Sequence, residues 1–584
     1  MRHSVNPLQI RLFDAYDPVL TEKTRKRLLE HWPGVLRHVI LELLPVDTLG
    51  GHFDPKMGRP TKELYSLAGL LLIKEFMNWT KEDALDQYRF NMQVHYALNL
   101  EPVAQDLSKR TLERYLAYFE EDELAKATMD AVTVKLIELL DLNIDRQRLD
   151  STHIFSDIAG FGRTRLMGVA IKRFLTQVLR QDRKVYLSLP ESLRERYAPG
   201  VNRLFADCKK DGDSRRSLRD QVAEDMYTLL KAFAGKEAYV RKDTYKALER
   251  IFYEQCEVRE EKVLVKEKTG GRVMQNPSDP EATYDGHKGP GYQVQLSETC
   301  HPDNPAQLIT CAIPQTAAES DARALEPVLE ALQGRKLLPR EMVADTPYCG
   351  DENVQRAEAL GVELIGPMPS DSSSGSDSDQ ADVGKAEPLN IDDFDIDEVT
   401  EEVICCPAGH GPESSKHHGA SGVTKTVMPV SVCGGCEFFA QCPMKKIRDT
   451  YVLEHTAKAR RLVGRRRETA TEVFKERYQI RGGIEGTNSG LKRRTGLGRL
   501  RVRGWPAVSH AIYLKIAGWN ILRGAVCATI REIVYARAKK AVLGLDFARW
   551  RGLQVLGGVR RGLRRSWGPP VERGMIFSAF SQVA

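Results

Sequence analysis

The chain lacks any apolar run long enough to cross a bilayer. LAGLLLI at 67–73 ends at Lys74, far short of the roughly 20 residues a spanning helix needs. The apolar stretch at 507–526 is broken by Lys515 and Arg523. MRHSVNPLQI has no apolar core, so no secretory leader is expected. A strong overall charge is missing too: 86 Lys and Arg nearly balance 80 Asp and Glu, leaving a formal +6. That average does not announce a polyanionic partner. Without an export signal, the 11 cysteines are expected to be reduced or metal-bound, not disulfide-linked. These absences argue against a membrane protein and a disulfide-stapled secreted module. They leave a cytoplasmic chain of ordinary hydrophobic content, 42%, long enough for three or four units.

Basic charge is present, but concentrated. Residues 458–503 hold fifteen Lys and Arg against four acidic residues, a local footprint for phosphate. Arg560–Arg565 adds a second cluster. Within YQIRGGIEGTNSGLK, Tyr478, Arg481, Glu485 and Lys492 spell Y-x2-R-x3-E-x6-K. On one α-helix, at about 100° per residue, they fall within an arc of roughly 60°. One stripe then offers a phenol, two cations and a carboxylate. Arg481 and Lys492 suit a phosphodiester, and Glu485 suits a metal beside it. Arg493, Arg494, Arg499 and Arg501 extend the cationic run as DNA contacts. The plainer alternative is a solvated basic helix. Gly482, Gly483, Gly486 and Gly490 each cost about 1 kcal/mol relative to Ala, so tertiary packing must hold the segment helical. The same glycines let its backbone press close to a sheet or to DNA.

Residues 1–140 read as a helical unit for DNA binding or dimerisation. Leu64, Leu67, Leu71 and Phe76 keep roughly helical spacing. Thr80 with Asp83 resembles a capping box, and Ser108 suits another N-cap. Lys109, Arg110 and Arg114 allow a helix-turn-helix-like DNA reader; a plain packing bundle reads equally well. Residues 141–366 begin the next unit. A strand at 144–154 ends at Asp150, and a helical insertion spans 156–285. Strands follow at 291–299 and 307–314, a helix at about 320–333, a strand ending at Asp345, a helix at 351–360 and a strand at 362–366. Residues 367–455 form an insertion that opens with PSDSSSGSDSDQAD, an acidic linker unable to bury enough apolar surface to fold alone. It serves as a solvated connector or as a shield for the basic surface. Cys406, Cys433, Cys436 and Cys442 then suit a possible zinc knuckle, with Cys405 or His410 as substitutes and His417 and His418 as competitors; reduced cysteines in a loop are the other reading. Residues 456–530 complete the core with the Glu485 helix, and 531–584 form a basic tail.

This running order is that of a ribonuclease-H-like α/β domain. A mixed five-stranded sheet places Asp150 centrally and Asp345 at the end of the neighbouring strand, with the Glu485 helix packed across them. Carboxylates converging from distant positions suit hard divalent cations. Two magnesium ions (or manganese), about 3.5–4 Å apart, clamp a phosphodiester for in-line displacement.

The chain resembles bacterial insertion-sequence transposases of the DDE type, in the branch whose third carboxylate lies in Y-x2-R-x3-E-x6-K. RLDSTHI is similar to the first-aspartate segment and VADTPYCGDEN to the second, although Thr346-Pro347-Tyr348 replaces the small residue and glycine that often precede that tyrosine. GRPTKELYSLAGLLLIKEF through LSKRTLERY is similar to the helical N-terminal domain of the family. The resemblance implies cleavage at transposon ends, attack of the freed 3′-hydroxyls on target DNA, and Asp150, Asp345 and Glu485 as catalytic metal ligands. It implies that Arg481 and Lys492 contact the backbone near the cut and that Tyr478 packs on a base or positions Glu485. It also implies a homodimer on double-stranded DNA in the bacterial cytoplasm, at the nucleoid, and no membrane. A catalytically idle DNA-binding derivative, or a nuclease of the same fold, is the alternative.

Overall fold

A computed structural model describes residues 1–8, 14–198, 204–205, 209, 211–368 and 389–539. The Ser/Asp tract and the Arg560–Arg565 cluster lie outside the described residues. Two compact units are present. Among the described residues, one comprises Met1–Lys74, Trp79–Asp122 and residues 521–539; the other comprises Glu75–Asn78 and Glu123–Asn520.

The second unit holds the sheet. Its strands are β1 (Arg146–Ile154), β2 (Gly289–Thr299), β3 (Ile309–Thr316), β4 (Glu341–Ala344) and β5 (Glu363–Ile365). β1 is antiparallel to β2, with Asp150 opposite Leu296, and parallel to β4, with Leu149 opposite Ala344. β3 runs antiparallel to β2, and β5 runs parallel to β4. The order β3-β2-β1-β4-β5, with only the second strand reversed against the first, is the ribonuclease-H-like arrangement. Three details differ from the sequence expectation. A sixth strand, Thr283–Asp285, pairs with the start of β2. β1 continues past Asp150 to Ile154, because Ser151–Ile154 pair with Tyr292–Gln295. β4 stops at Ala344, so Asp345 lies just beyond it and caps the short turn Thr346–Tyr348. Pro347 fits that first turn, where no backbone N–H is required.

The helices between β1 and β2, Arg163–Gln181, Gly212–Phe233 and Asp243–Gln255, bury a core of their own. Phe174, Met226, Phe233, Leu248 and Phe252 lie at its centre, so their apolar stripes are packing faces. The cysteine-bearing segment is more structured than its composition implies. Four antiparallel strands run in the order Ser414–His418, Val423–Met428, Thr450–Thr456, Lys445–Ile447, over a small core containing Met428, Tyr451 and Leu453. These strands carry Lys and His and are too short for a clear period-two signal.

The first unit is helical. The Thr80–Asp83 capping box and the Ser108 cap are both formed. His38 is half-buried there, with Nε2 3.0 Å from the Tyr96 hydroxyl. Burial, aided by Arg37 and Arg537, pushes it down from 6.5 to about 3. The unfolded chain accepts this proton below 6.5, whereas the folded chain refuses it until about 3. The stability from neutral His38 is therefore whole above that window and is lost as pH falls through it. His38→Gln is expected to flatten the acid side of the stability profile, read as urea midpoints above and within the window. An unchanged slope would assign the acid sensitivity to other groups. No described helix of the chain is long and apolar enough to cross a membrane.

Candidate active site

Three elements bring the expected carboxylates to one place. Asp150 stands mid-β1, Asp345 follows β4, and Glu485 lies in the first turn of the glutamate helix, Gly483–Thr495. Arg481 sits between them. Its Nη2 is 3.4 Å from Asp150 Oδ1 and 3.1 Å from Asp345 Oδ2, and its Nη1 is 2.8 Å from Glu485 Oε1. Both aspartates thus meet at a single nitrogen. The Asp150 side chain is 16% exposed and that of Glu485 is 66% exposed. Burial raises the Asp150 carboxyl above its ordinary value; Arg481 opposes this, while the charges of Asp345 and Asp321 add to it. Asp150 Oδ1 accepts the Ser151 N–H at 2.9 Å, and Oδ2 accepts from Asn488 Nδ2 at 3.1 Å.

The Y-x2-R-x3-E-x6-K residues do not share one helix. Tyr478 belongs to Glu472–Gln479, Arg481 to the 3-10 turn Ile480–Gly482, and Glu485 and Lys492 to the glutamate helix. The break falls at the glycine pair 482–483, and packing explains it. A Cβ on Gly483 would collide with the Arg148 guanidinium of β1, so glycine there admits the close approach to the sheet. Arg148 Nη1 donates to Ile480 O at 3.0 Å, and its Nε and Nη2 donate to Glu298 Oε2 at 2.8 and 2.6 Å. Glu298 Oε1 accepts from Thr487 Oγ1 at 2.7 Å. Glu298 is fully buried and Arg148 nearly so. A buried ion pair bridging β1 and β2 therefore grips the 3-10 turn and the first half of the glutamate helix. At the far end, Lys515 Nζ donates to Thr495 O at 2.7 Å, and Gly496 takes a left-handed φ of 70° as C-cap. Lys515, whose charge argues against a membrane span, is buried, with its ammonium also donating to Glu75 O at 2.8 Å.

The expected DNA-contacting side chains divide into two sets. Tyr478 and Arg481 turn inward. The Tyr478 hydroxyl donates to Asp345 Oδ1 at 3.4 Å and its ring stacks on Phe474; burial and the Asp345 charge push it up to about 12. Tyr478 thus faces Asp345, not Glu485. Lys492 is partly buried, and burial followed by the Lys288 charge lowers its value. Arg493, Arg494, Arg499 and Arg501 are exposed. The last two lie on a segment that runs beside the end of β1, where Phe155 N–H donates to Gly498 O at 3.1 Å and Leu500 N–H to Phe155 O at 2.8 Å.

Among the described residues, no three His, Cys, Asp or Glu side chains are grouped so as to hold a metal ion. At the carboxylates the Arg481 guanidinium stands between Asp150 and Asp345. The two aspartates offer only oxygen donors there, the type a hard cation takes. In the insertion, Cys406, Cys433, Cys436, Cys442 and His410 line one small cavity of about 20 Å³. Burial raises the Cys433 thiol, and Cys442, Cys406 and Cys436 add to the shift. His417 and His418 lie on a strand instead, with His417 Nδ1 3.0 Å from Thr424 Oγ1.

Sequence reasoning missed Asn488, the Arg148–Glu298 pair and Asp321. Asp321 accepts from Ser151 Oγ at 3.1 Å and from Gln295 Nε2 at 2.7 Å, behind Asp150. A signal existed for the pair: Arg148 and Glu298 are opposite charges inside runs that otherwise read as buried strands.

The sheet and its carboxylates define a ribonuclease-H-like fold with an acidic site. Residues 405–524, which include Glu485, match the family model described as Transposase DDE domain. No curated protein matches the chain. A solved structure, the cryo-EM piggyBac transposase synaptic complex with hairpin DNA, is similar at 10% identity over 94% of this chain and 88% of that one, with a TM-score of 0.29. That likeness is too low to carry an argument.

Proposed function

We propose that the chain cuts phosphodiester bonds at the ends of a DNA element and joins the freed 3′-hydroxyls to target DNA. The observation that carries this reading is the convergence of Asp150, Asp345 and Glu485 on one guanidinium. Magnesium or manganese, when bound, supplies Lewis-acid polarisation and an activated water or hydroxyl; Asp150 and Asp345 would hold it, with Glu485 completing the set. In the protein alone, Arg481 neutralises carboxylates that would otherwise repel one another. A DNA phosphate offers that guanidinium a second anionic acceptor, and turning toward it frees the oxygens of the aspartates. Tyr478 holds the Asp345 carboxylate through its hydroxyl. Lys492 and the exposed Arg493, Arg494, Arg499 and Arg501 bind backbone phosphates. The working form is a homodimer on DNA, since two element ends must be handled together, and it acts at the nucleoid of a bacterial cytoplasm.

The test is incubation of the purified chain with DNA carrying the inverted repeats that flank its reading frame. Cleavage and joining in magnesium, both abolished by EDTA, support the proposal. Cleavage without joining would leave a nuclease; no cleavage, with DNA still bound, would leave an idle derivative. Replacing Arg493, Arg494, Arg499 and Arg501 together by Gln is expected to reduce the slope of log K against log salt by roughly 3 to 4, at about 0.9 per lost phosphate contact, as read from fluorescence anisotropy. An unchanged slope removes this surface from the DNA interface. We also assign zinc to the cysteine cavity: the purified chain is expected to carry equimolar zinc by elemental analysis and to lose it in Cys433→Ser.

A further inference from the structure

We propose that Asn488 is a positioning residue for the carboxylate site, orienting Asp150 through its amide nitrogen and keeping its amide oxygen for the hydration shell of the divalent cation. The inference rests on the reading of Asp150 as a cation ligand. Asn488 lies three residues beyond Glu485 on the glutamate helix, and the Arg148–Glu298 brace and Lys515 hold that helix at either end. It is 8% exposed, and its Nδ2 donates to Asp150 Oδ2 at 3.1 Å.

The orientation of this amide follows from chemistry. A carboxylate only accepts, so the nitrogen must face Asp150; the reversed amide would set oxygen against oxygen. The consequence is an orphan. Asn488 Oδ1 is buried and has no hydrogen-bond partner, a condition that is ordinarily unfavourable. A second orphan stands in the same site: Arg481 Nε, also buried and unpartnered. Both side chains hold Asp150, and both keep one polar group unused while Arg481 fills the cation's place. An acceptor beside an acidic cation site finds its natural donor in cation-held water, whose hydrogens are strongly polarised. Asn488 then does for Asp150 what outer groups do for metal ligands generally: it fixes the rotation of the ligand and satisfies the hydration sphere. A plain helix–strand hydrogen bond would explain the nitrogen and leave the oxygen unexplained.

The test uses the full chain bound to a short duplex carrying an element end, with Mn²⁺ as the probe; free Mn²⁺ is followed by electron paramagnetic resonance and corrected for the duplex alone. Asn488→Leu keeps the branched skeleton, with somewhat larger methyl groups, and removes both polar atoms; it is expected to weaken Mn²⁺ binding about 10–100-fold. Asn488→Asp keeps an acceptor oxygen and adds charge; it is expected to bind Mn²⁺ at least as tightly as the native chain. Circular dichroism melts report folding, and if the leucine chain does not fold, Asn488→Ala is read in its place. Native affinity in the leucine or alanine chain overturns the proposal. So does equal weakening in the leucine and aspartate chains, the pattern of a residue that only buttresses the helix. Asp150→Asn is the separate control: if it leaves Mn²⁺ binding unchanged, the carboxylate reading itself has failed, and the inference falls with it.

Discussion

Asp150→Asn, Asp345→Asn and Glu485→Gln are each expected to lower DNA cleavage on the order of 10⁴-fold, the scale on which members of one catalytic constellation act. Each change keeps the side-chain volume and removes one anionic oxygen donor. The loss should therefore be in turnover, with the affinity for end DNA changed only a few-fold, because the exposed arginines near the site remain. The three variants should also fail to add: any pair should be no slower than the worst single, since one missing ligand already disables the site. Single-turnover cleavage beside gel-shift affinity separates the two effects. Retained cleavage in Glu485→Gln would remove that residue from the chemistry and leave the two aspartates to explain it.

Breaking the buried ion pair has the second-largest expected effect. Glu298→Ala leaves the Arg148 guanidinium buried with only Ile480 O and strands the Thr487 hydroxyl. Removing one partner of such a pair typically costs about 3–5 kcal/mol, a large part of the marginal stability of a domain. The double variant Arg148→Met with Glu298→Leu replaces the pair with apolar volume and is expected to be clearly more stable than Glu298→Ala. Even so, it should cleave poorly, because nothing then ties β1 to Ile480 and aims Arg481 and Glu485. Urea unfolding and cleavage assays on the same chains check both halves. Gly483→Ala should resemble the single variant in activity, since its methyl group collides with Arg148. If the double variant is as unstable as the single one, uncompensated charge is not the cause.

The sheet was legible because one strand, GYQVQLSET, alternates and the others are short apolar-rich runs bounded by turn residues; VADTPYCGDEN and RLDSTHI place Asp345 just after β4 and Asp150 within β1, which runs on four residues past the expected end. The glutamate segment was legible as chemistry and misread as geometry. A 100° rotation per residue assumes one axis, and the break at Ile480–Gly482 is decided by an arginine more than 300 positions earlier. Local pattern cannot report that contact. The glycines did announce close packing, without naming the partner. Arg481 was read as facing phosphate because its charge suits phosphate; only the fold shows that three carboxylates meet it first. Asn488 gave no signal, since a lone Asn in a helix between threonine and serine reads as a surface residue. The small sheet around the cysteines was hidden by short strands with polar faces.

The long helical insertion has a consequence for how the protein is made. Asp150 pairs with a strand that begins at Gly289, and the guanidinium that gathers the acids belongs to residue 481. A ribosome must emit about half of the chain before β1 finds its first neighbour, and nearly all of the sheet-bearing unit before the acidic centre can close. Helices in between can collapse onto one another early, because their contacts are nearer in sequence. Prematurely terminated translation products would therefore lack the gathered carboxylates, and the acidic centre is assembled last.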